Sequence, residues 1–131
     1  MINIEYRDGL LFTSLEIEFR GSRKIIDNIV IDTGAAETIL SPDAVEDIDL
    51  FAESDDFVHS FYGVGGSLHN FFSKSVDSVL LGTARLEEIK LDFGMIDPHG
   101  HINGLLGLDI LIKFNAIIDL KRFTLSLDNL E

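Results

Sequence analysis

The sequence predicts an all-β fold, a small closed barrel or sandwich with one or two short helices. Short segments alternate apolar with polar residues, turn residues separate them at regular intervals, and the 131-residue chain holds only two prolines. The clearest segment runs from Leu11 to Phe19, where the odd positions Leu11, Thr13, Leu15, Ile17 and Phe19 alternate with Glu16 and Glu18. A period of two marks a strand with one face buried.

Gly21-Ser22 turns that strand back, and Ile25 through Ile31 form the next one. After a loop at Asp32, Thr38-Ile39-Leu40 resumes extended structure. Ser41-Pro42 then reads as an N-cap followed by proline at the first helical position, opening a short helix over residues 43–48. Residues 49–56 are acidic and irregular, hence a surface loop. Residues 57–61 and 67–81 are strand-like and flank Tyr62-Gly63-Val64-Gly65-Gly66, a long hairpin with a glycine tip. Val76, Val79, Leu80 and Leu81 end its return strand, and Gly82-Thr83 turns into another extended segment carrying Leu86, Ile89, Leu91 and Phe93. Past Asp97-Pro98-His99-Gly100, an apolar strand from Ile102 breaks at Gly107 and continues as a short helix over residues 109–114. Residues 116–120 and 123–127 form a closing hairpin. The whole chain, 1–131, is expected to be one domain.

Composition narrows the function classes. Twenty-three acidic against ten basic residues give a formal charge of −13, which repels phosphate backbones and argues against nucleic-acid partners. With no cysteine there is no disulfide framework, thiol nucleophile or cysteine zinc site, in keeping with a cytoplasmic location. No segment approaches the roughly 20 apolar residues of a membrane span, so no membrane partner is expected. His99-Gly100-His101 lacks the carboxylate or cysteine pattern of a metal site and reads as a surface loop. No metal or other cofactor is expected. A sugar-kinase or actin-like phosphotransferase also places Asp and Gly after a strand, but this chain has no second phosphate motif and is too short for two large domains.

The chemistry centres on Asp32-Thr33-Gly34-Ala35, directly after Ile29-Val30-Ile31. A β-branched strand fixes the backbone, Gly34 permits close approach by another backbone, and the Thr33 hydroxyl can lock the loop, so Asp32 is expected to be held and partly desolvated. An ordinary turn after a strand is the competing reading of this string. Two further motifs shift the balance: the glycine-tipped hairpin, and Asn103-Gly104-Leu105-Leu106-Gly107-Leu108-Asp109, a second apolar strand entering a glycine.

In this order and spacing, the three motifs resemble the retropepsin-like aspartic peptidases, most closely the bacterial single-domain members, over most of the chain. The resemblance implies a retropepsin-type barrel and an aspartic endopeptidase active as a homodimer on extended peptides, with Asp32 paired to its symmetry mate. Two carboxylates about 3 Å apart share a proton, so one can deprotonate water while the other protonates the substrate. Thr33 then braces the dyad across the dimer axis, and Gly34 and Ala35 keep the floor narrow for substrate. Tyr62, Gly63, Val64, Gly65 and Gly66 become a substrate-covering flap, a plain exposed hairpin being the alternative. Leu105, Leu106 and Gly107 are expected to pack beneath the Asp32 loop, and Asp109 to cap the helix or hydrogen-bond a loop. In viral members an Arg follows the second-motif glycine and pairs with an Asp two residues past the catalytic loop's glycine; here those places hold Leu108 and Ala36. A catalytically silent dimer that binds peptides or proteins is the alternative function. Asp119, without a following glycine, reads as structural, and Phe51, Phe71 and Phe72 as core or flap-supporting aromatics.

Overall fold

The computed structural model describes residues 1–62 and 68–127. Along the chain lie β1 (Ile2–Asn3), β2 (Glu5–Arg7), β3 (Leu10–Phe19), β4 (Ser22–Ile31), β5 (Ile39–Leu40), a 3-10 helix (Pro42–Ile48), β6 (Val58–Tyr62), β7 (Leu68–Leu81), β8 (Ala84–Gly94), β9 (Gly104–Leu106), α1 (Leu108–Lys113), β10 (Ile117–Asp119) and β11 (Thr124–Ser126). The order β3-β4-β9-β5-β8-β7 returns to its start because β7 also pairs with β3, closing a six-stranded barrel flanked by β2 and β6. A small second sheet, β1-β11-β10, lies beside it. Most pairings are antiparallel; β4 with β9 and β5 with β8 run parallel.

The alternation in β3 fixes its register, since a slip of one residue would turn Leu15, Ile17 and Phe19 to solvent. Those three are buried, together with Ile29, Leu40, Phe93, Leu106, Phe114 and Leu125, in one apolar cluster filling the barrel. Phe72 stacks on Phe93 with ring centroids 5.2 Å apart. Where β4 crosses Thr13 to Leu15 the register shifts, and Asn28 adopts φ 58°, a left-handed conformation that Asn tolerates better than most residues. This bulge has a positioning role. The Asn28 carbonyl accepts the Asn103 N–H at 2.9 Å, and Asn103 Nδ2 donates to the Asp27 carbonyl at 2.9 Å, which fixes the segment entering β9.

Several details differ from the sequence expectation. The helix after Ser41 is a 3-10 helix from Pro42; Ser41 occupies the N-cap position without a side-chain bond, its carbonyl accepting the Ala44 N–H instead. β9 starts at Gly104 rather than residue 102, and α1 spans Leu108–Lys113. Phe51 is 50 % exposed and is not part of the buried core. Phe71 and Phe72 are half-buried. The short β1 and β2 carried no alternation long enough to mark them. Among the described residues, no helix is long and apolar enough to cross a membrane.

Residues 49–56 are held by Lys74, a buried cation on β7. Its Nζ lies 2.6 Å from Glu53 Oε1 and 2.7 Å from Asp56 Oδ2, and Arg20 Nη2 reaches Glu53 Oε1 at 2.7 Å. Hydrogen bonds from Arg20 and then Lys74 hold the Glu53 carboxyl at about 2, against an ordinary 4.5. A depressed acid stabilises the fold above its unfolded pKa and loses that contribution as pH falls through its folded one. Glu53→Gln is therefore expected to unfold at lower temperature than the native chain above about pH 4.5, with the gap closing toward pH 2, as read by thermal melts across that window.

Candidate active site

Asp32 is the first residue past the barrel strand β4, and its backbone continues the parallel pairing of Ile31 with Leu106: Asp32 N–H donates to the Leu106 carbonyl at 2.9 Å. The apolar residues Ile29, Val30 and Ile31 are all buried, so the carboxylate is delivered at the end of a strand that cannot shift. Its own geometry is local. Asp32 Oδ1 accepts the Gly34 N–H at 2.9 Å, and the Asp32 carbonyl accepts the Ala35 N–H at 3.1 Å, a turn that leaves Asp32 half-buried and Thr33 and Gly34 exposed. A Cβ on Gly34 would meet only Asp32 Oδ1, at 3.2 Å, so within one chain Gly34 accommodates the carboxylate rather than another backbone. The Thr33 hydroxyl bonds to no group among the described residues; the hydroxyl that ties the loop belongs to Thr38.

Residues 35–38 run along the start of α1. The Ala35 and Ala36 carbonyls accept the Leu108 and Asp109 N–H groups at 2.9 and 3.1 Å, satisfying donors that the first turn of a helix leaves without internal partners. Contact this close excludes a side chain at Gly107, where a Cβ would lie 2.7 Å from the Glu37 carbonyl carbon and 2.9 Å from the Ala35 oxygen. Leu105 and Leu106 pair alongside Val30 and Ile31 on β4, Leu106 fully buried and Leu105 half-buried, and Asp109 Oδ1 accepts the Ile110 N–H at 2.8 Å. Thr38 is 1 % exposed: its Oγ1 accepts the Gly107 N–H at 3.0 Å and donates to Asp109 Oδ1 at 2.7 Å, while its own N–H donates to the same oxygen at 3.0 Å. The sequence reading placed Thr38 only as a strand residue. The available signal was its parity with Leu40, which turns the hydroxyl inward, where it requires partners.

Two open spaces border the loop. On one side a cavity of about 360 Å³ joins residues 37–38 to the β6–β7 hairpin, lined by Glu37, His59, Phe71, Lys90 and Asp92 among others. His59 stacks on Phe71 with centroids 4.8 Å apart. Glu37 shares a hydrogen bond with Asp92; this, then the Asp92 charge, burial and Asp109 raise its pKa, with Lys90 opposing. On the other side a groove of about 320 Å³ is lined by Thr33, Leu108, Leu111, Ile112, Ala116 and Ile118. Of the expected flap, Tyr62 ends β6 opposite Leu68, whereas Gly63, Val64, Gly65 and Gly66 lie outside the described residues. His99 and His101 have their backbone N–H groups on Asp97, and Asp119 accepts the Lys121 and Arg122 N–H groups in the β10–β11 turn. Among the described residues, no three His, Asp or Glu side chains are grouped to hold a metal ion.

Comparison with known proteins agrees with this fold. The aspartyl protease family matches the chain over residues 15–110. A retropepsin-like aspartic protease from Rickettsia conorii superposes with a TM-score of 0.69 at 20 % identity, covering 96 % of this chain and 97 % of that one. The retroviral protease-like domain of Ddi1 from Leishmania major gives 0.61 at 18 % identity, covering 92 % and 90 %. The EIAV protease, solved with the inhibitor HBY-793, gives 0.59 at 19 % identity, covering 88 % and 99 %. No curated protein sequence matches significantly.

Gly107→Ala is expected to displace residues 35–37 and destabilise the chain by about 1–3 kcal/mol, the usual cost of overpacking, measured by denaturant unfolding. Glu37→Gln should act in the opposite direction. A raised acid costs stability once it ionises, so removing the charge beside Asp92 and Asp109 should raise the melting temperature at pH 7, the gain shrinking as pH falls through the raised folded pKa and gone by about pH 4.5.

Proposed function

The chain belongs to the aspartyl protease family, and from that premise we propose that it is an endopeptidase of extended peptide segments, active as a homodimer with one Asp32 from each copy. The observation that carries this reading is the presentation of Asp32: a carboxylate at the tip of a rigid strand, one oxygen bonded to the Gly34 N–H, with Thr33 exposed beside it. Peptide hydrolysis needs a second carboxylate facing the first. The apolar groove next to Thr33, the exposed Ile112, Ile117 and Leu120 nearby in sequence, and β10 at the edge of its sheet support a second copy docking on this side.

In that dimer one Asp32 carboxylate takes a proton from water, whose oxygen attacks the scissile carbonyl carbon. The protonated partner gives its proton to the carbonyl oxygen. As the resulting gem-diol collapses, one of its hydroxyls returns a proton to the dyad while the dyad gives a proton to the departing nitrogen, so amine and carboxylic acid leave and the shared-proton state is restored. Thr33 would brace the two loops, Gly34 and Ala35 would form the floor, and Tyr62 to Gly66 would close over the peptide and exclude water. The alternative, a silent dimer that binds peptides or proteins without turnover, draws on Ala36 and Leu108, which stand where viral members have an ion pair.

Mass-spectrometric cleavage mapping of a complex peptide mixture, from acid to neutral pH, tests the reading. Cuts made by the native chain and lost in Asp32→Asn, with the dimer retained, are the expected result. A confirmed dimer that cuts nothing across this range removes the enzyme and leaves the binding module.

A further inference from the structure

Thr38 and Asp109 lie outside the reacting atoms, yet their bonds connect the loop carrying Asp32 to α1. The connection is directional. Asp109 Oδ1 accepts three hydrogen bonds, from the Thr38 N–H, the Thr38 hydroxyl and the Ile110 N–H, at 3.0, 2.7 and 2.8 Å. Because the Thr38 proton is committed to Asp109, the hydroxyl lone pair faces the Gly107 N–H, 3.0 Å away. Gly107 in turn touches the Glu37 and Ala35 backbone, and Leu108 and Asp109 donate to the Ala35 and Ala36 carbonyls. Any turn of the Thr38 hydroxyl would leave a buried N–H without a partner, which is costly.

We infer that Thr38 and Asp109 are positioning residues: Asp109 orients the Thr38 hydroxyl, the hydroxyl holds Gly107, and Gly107 sets the height at which residues 32–35 present Asp32. This rests on the peptidase reading of Asp32. The role belongs to oxygen atoms rather than side-chain volume, which separates it from packing. Thr38→Ser keeps the hydroxyl and loses a methyl, whereas Thr38→Val keeps the shape and loses the hydroxyl. Asp109→Asn keeps an acceptor oxygen, and Asp109→Ala removes it. A purely positioning role requires a fall in kcat with little change in KM, whereas a direct peptide contact from the cavity these residues line would move KM. A displacement of order 1 Å at a reacting group can cost about 10²-fold in rate.

The test uses the full chain as a dimer and a peptide that the native chain cuts. Expected are a kcat reduced about 10²-fold in Thr38→Val and Asp109→Ala, KM within about threefold of native, and recovery to near-native kcat in Thr38→Ser and Asp109→Asn. Amide exchange at Gly107, followed by NMR, should be about tenfold faster in Thr38→Val and native-like in Thr38→Ser, the scale of one lost hydrogen bond. A Thr38→Val dimer with native kcat, or with native exchange at Gly107, overturns the inference while leaving the peptidase intact. Native chain that cuts nothing overturns the peptidase reading, and the positioning role falls with it. Should Thr38→Val fail to fold, the Asp109→Ala and Asp109→Asn pair decides by the same criteria, since Asp109 is only partly buried and its loss opens no core cavity.

Discussion

The close approach of residues 35–37 to Gly107 is the constraint on which the open end of the barrel depends. Two chain segments, one leaving β4 and one leaving β9, diverge from a parallel pair and must stay packed after the ladder ends. They do so because position 107 has no side chain, so backbone meets backbone and the α1 N–H groups find the Ala35 and Ala36 carbonyls. A helix start whose N-cap residue, Gly107, has no side chain to offer is thereby satisfied. The same contact removes slack from the Asp32 turn, whose carbonyl and carboxylate are both engaged within four residues.

Electrostatics divides this molecule into separate tasks. The −13 charge is spread over the surface, and two copies brought together would repel each other, an effect that salt screens beyond about 10 Å. Where cations are scarce they are used locally: Lys74 and Arg20 between them hold Glu53 and Asp56, pinning the loop that leads into β6. Near the site, by contrast, Glu37 and Asp92 face each other with Lys90 as the opposing charge. The hairpin and the loop after Asp32 thus meet across a cavity lined by this carboxyl pair.

How much of this could be read from sequence depended on the range of the determining interaction. The β3 and β8 strands were legible because Leu15, Ile17 and Phe19, or Leu91 and Phe93, state one buried face within a few residues. So was the second motif, since an apolar strand running into Gly107 announces a close approach. Asn28, with positive φ inside β4, was not legible, because the bulge there is imposed by the register of the partner strand and leaves no local mark. Thr38 was missed for a related reason. Its partners Gly107 and Asp109 are distant in sequence, so parity with Leu40 turns the hydroxyl inward without saying what it bonds.

The case for a second copy also follows from what the nearby carboxylates are already doing. A general-acid partner for Asp32 has to be free to exchange a proton with substrate. Asp109 is engaged by Thr38 and Ile110, and moving its Oδ1 would unseat Gly107. Glu37 and Asp92 are bound to each other, and Asp92 also accepts the Ser73 hydroxyl at 2.6 Å. The loop therefore holds one carboxylate outward and commits its acidic neighbours elsewhere. In the proposed dimer a two-fold axis beside Thr33 would meet this need, the same loop of another chain supplying the second Asp32.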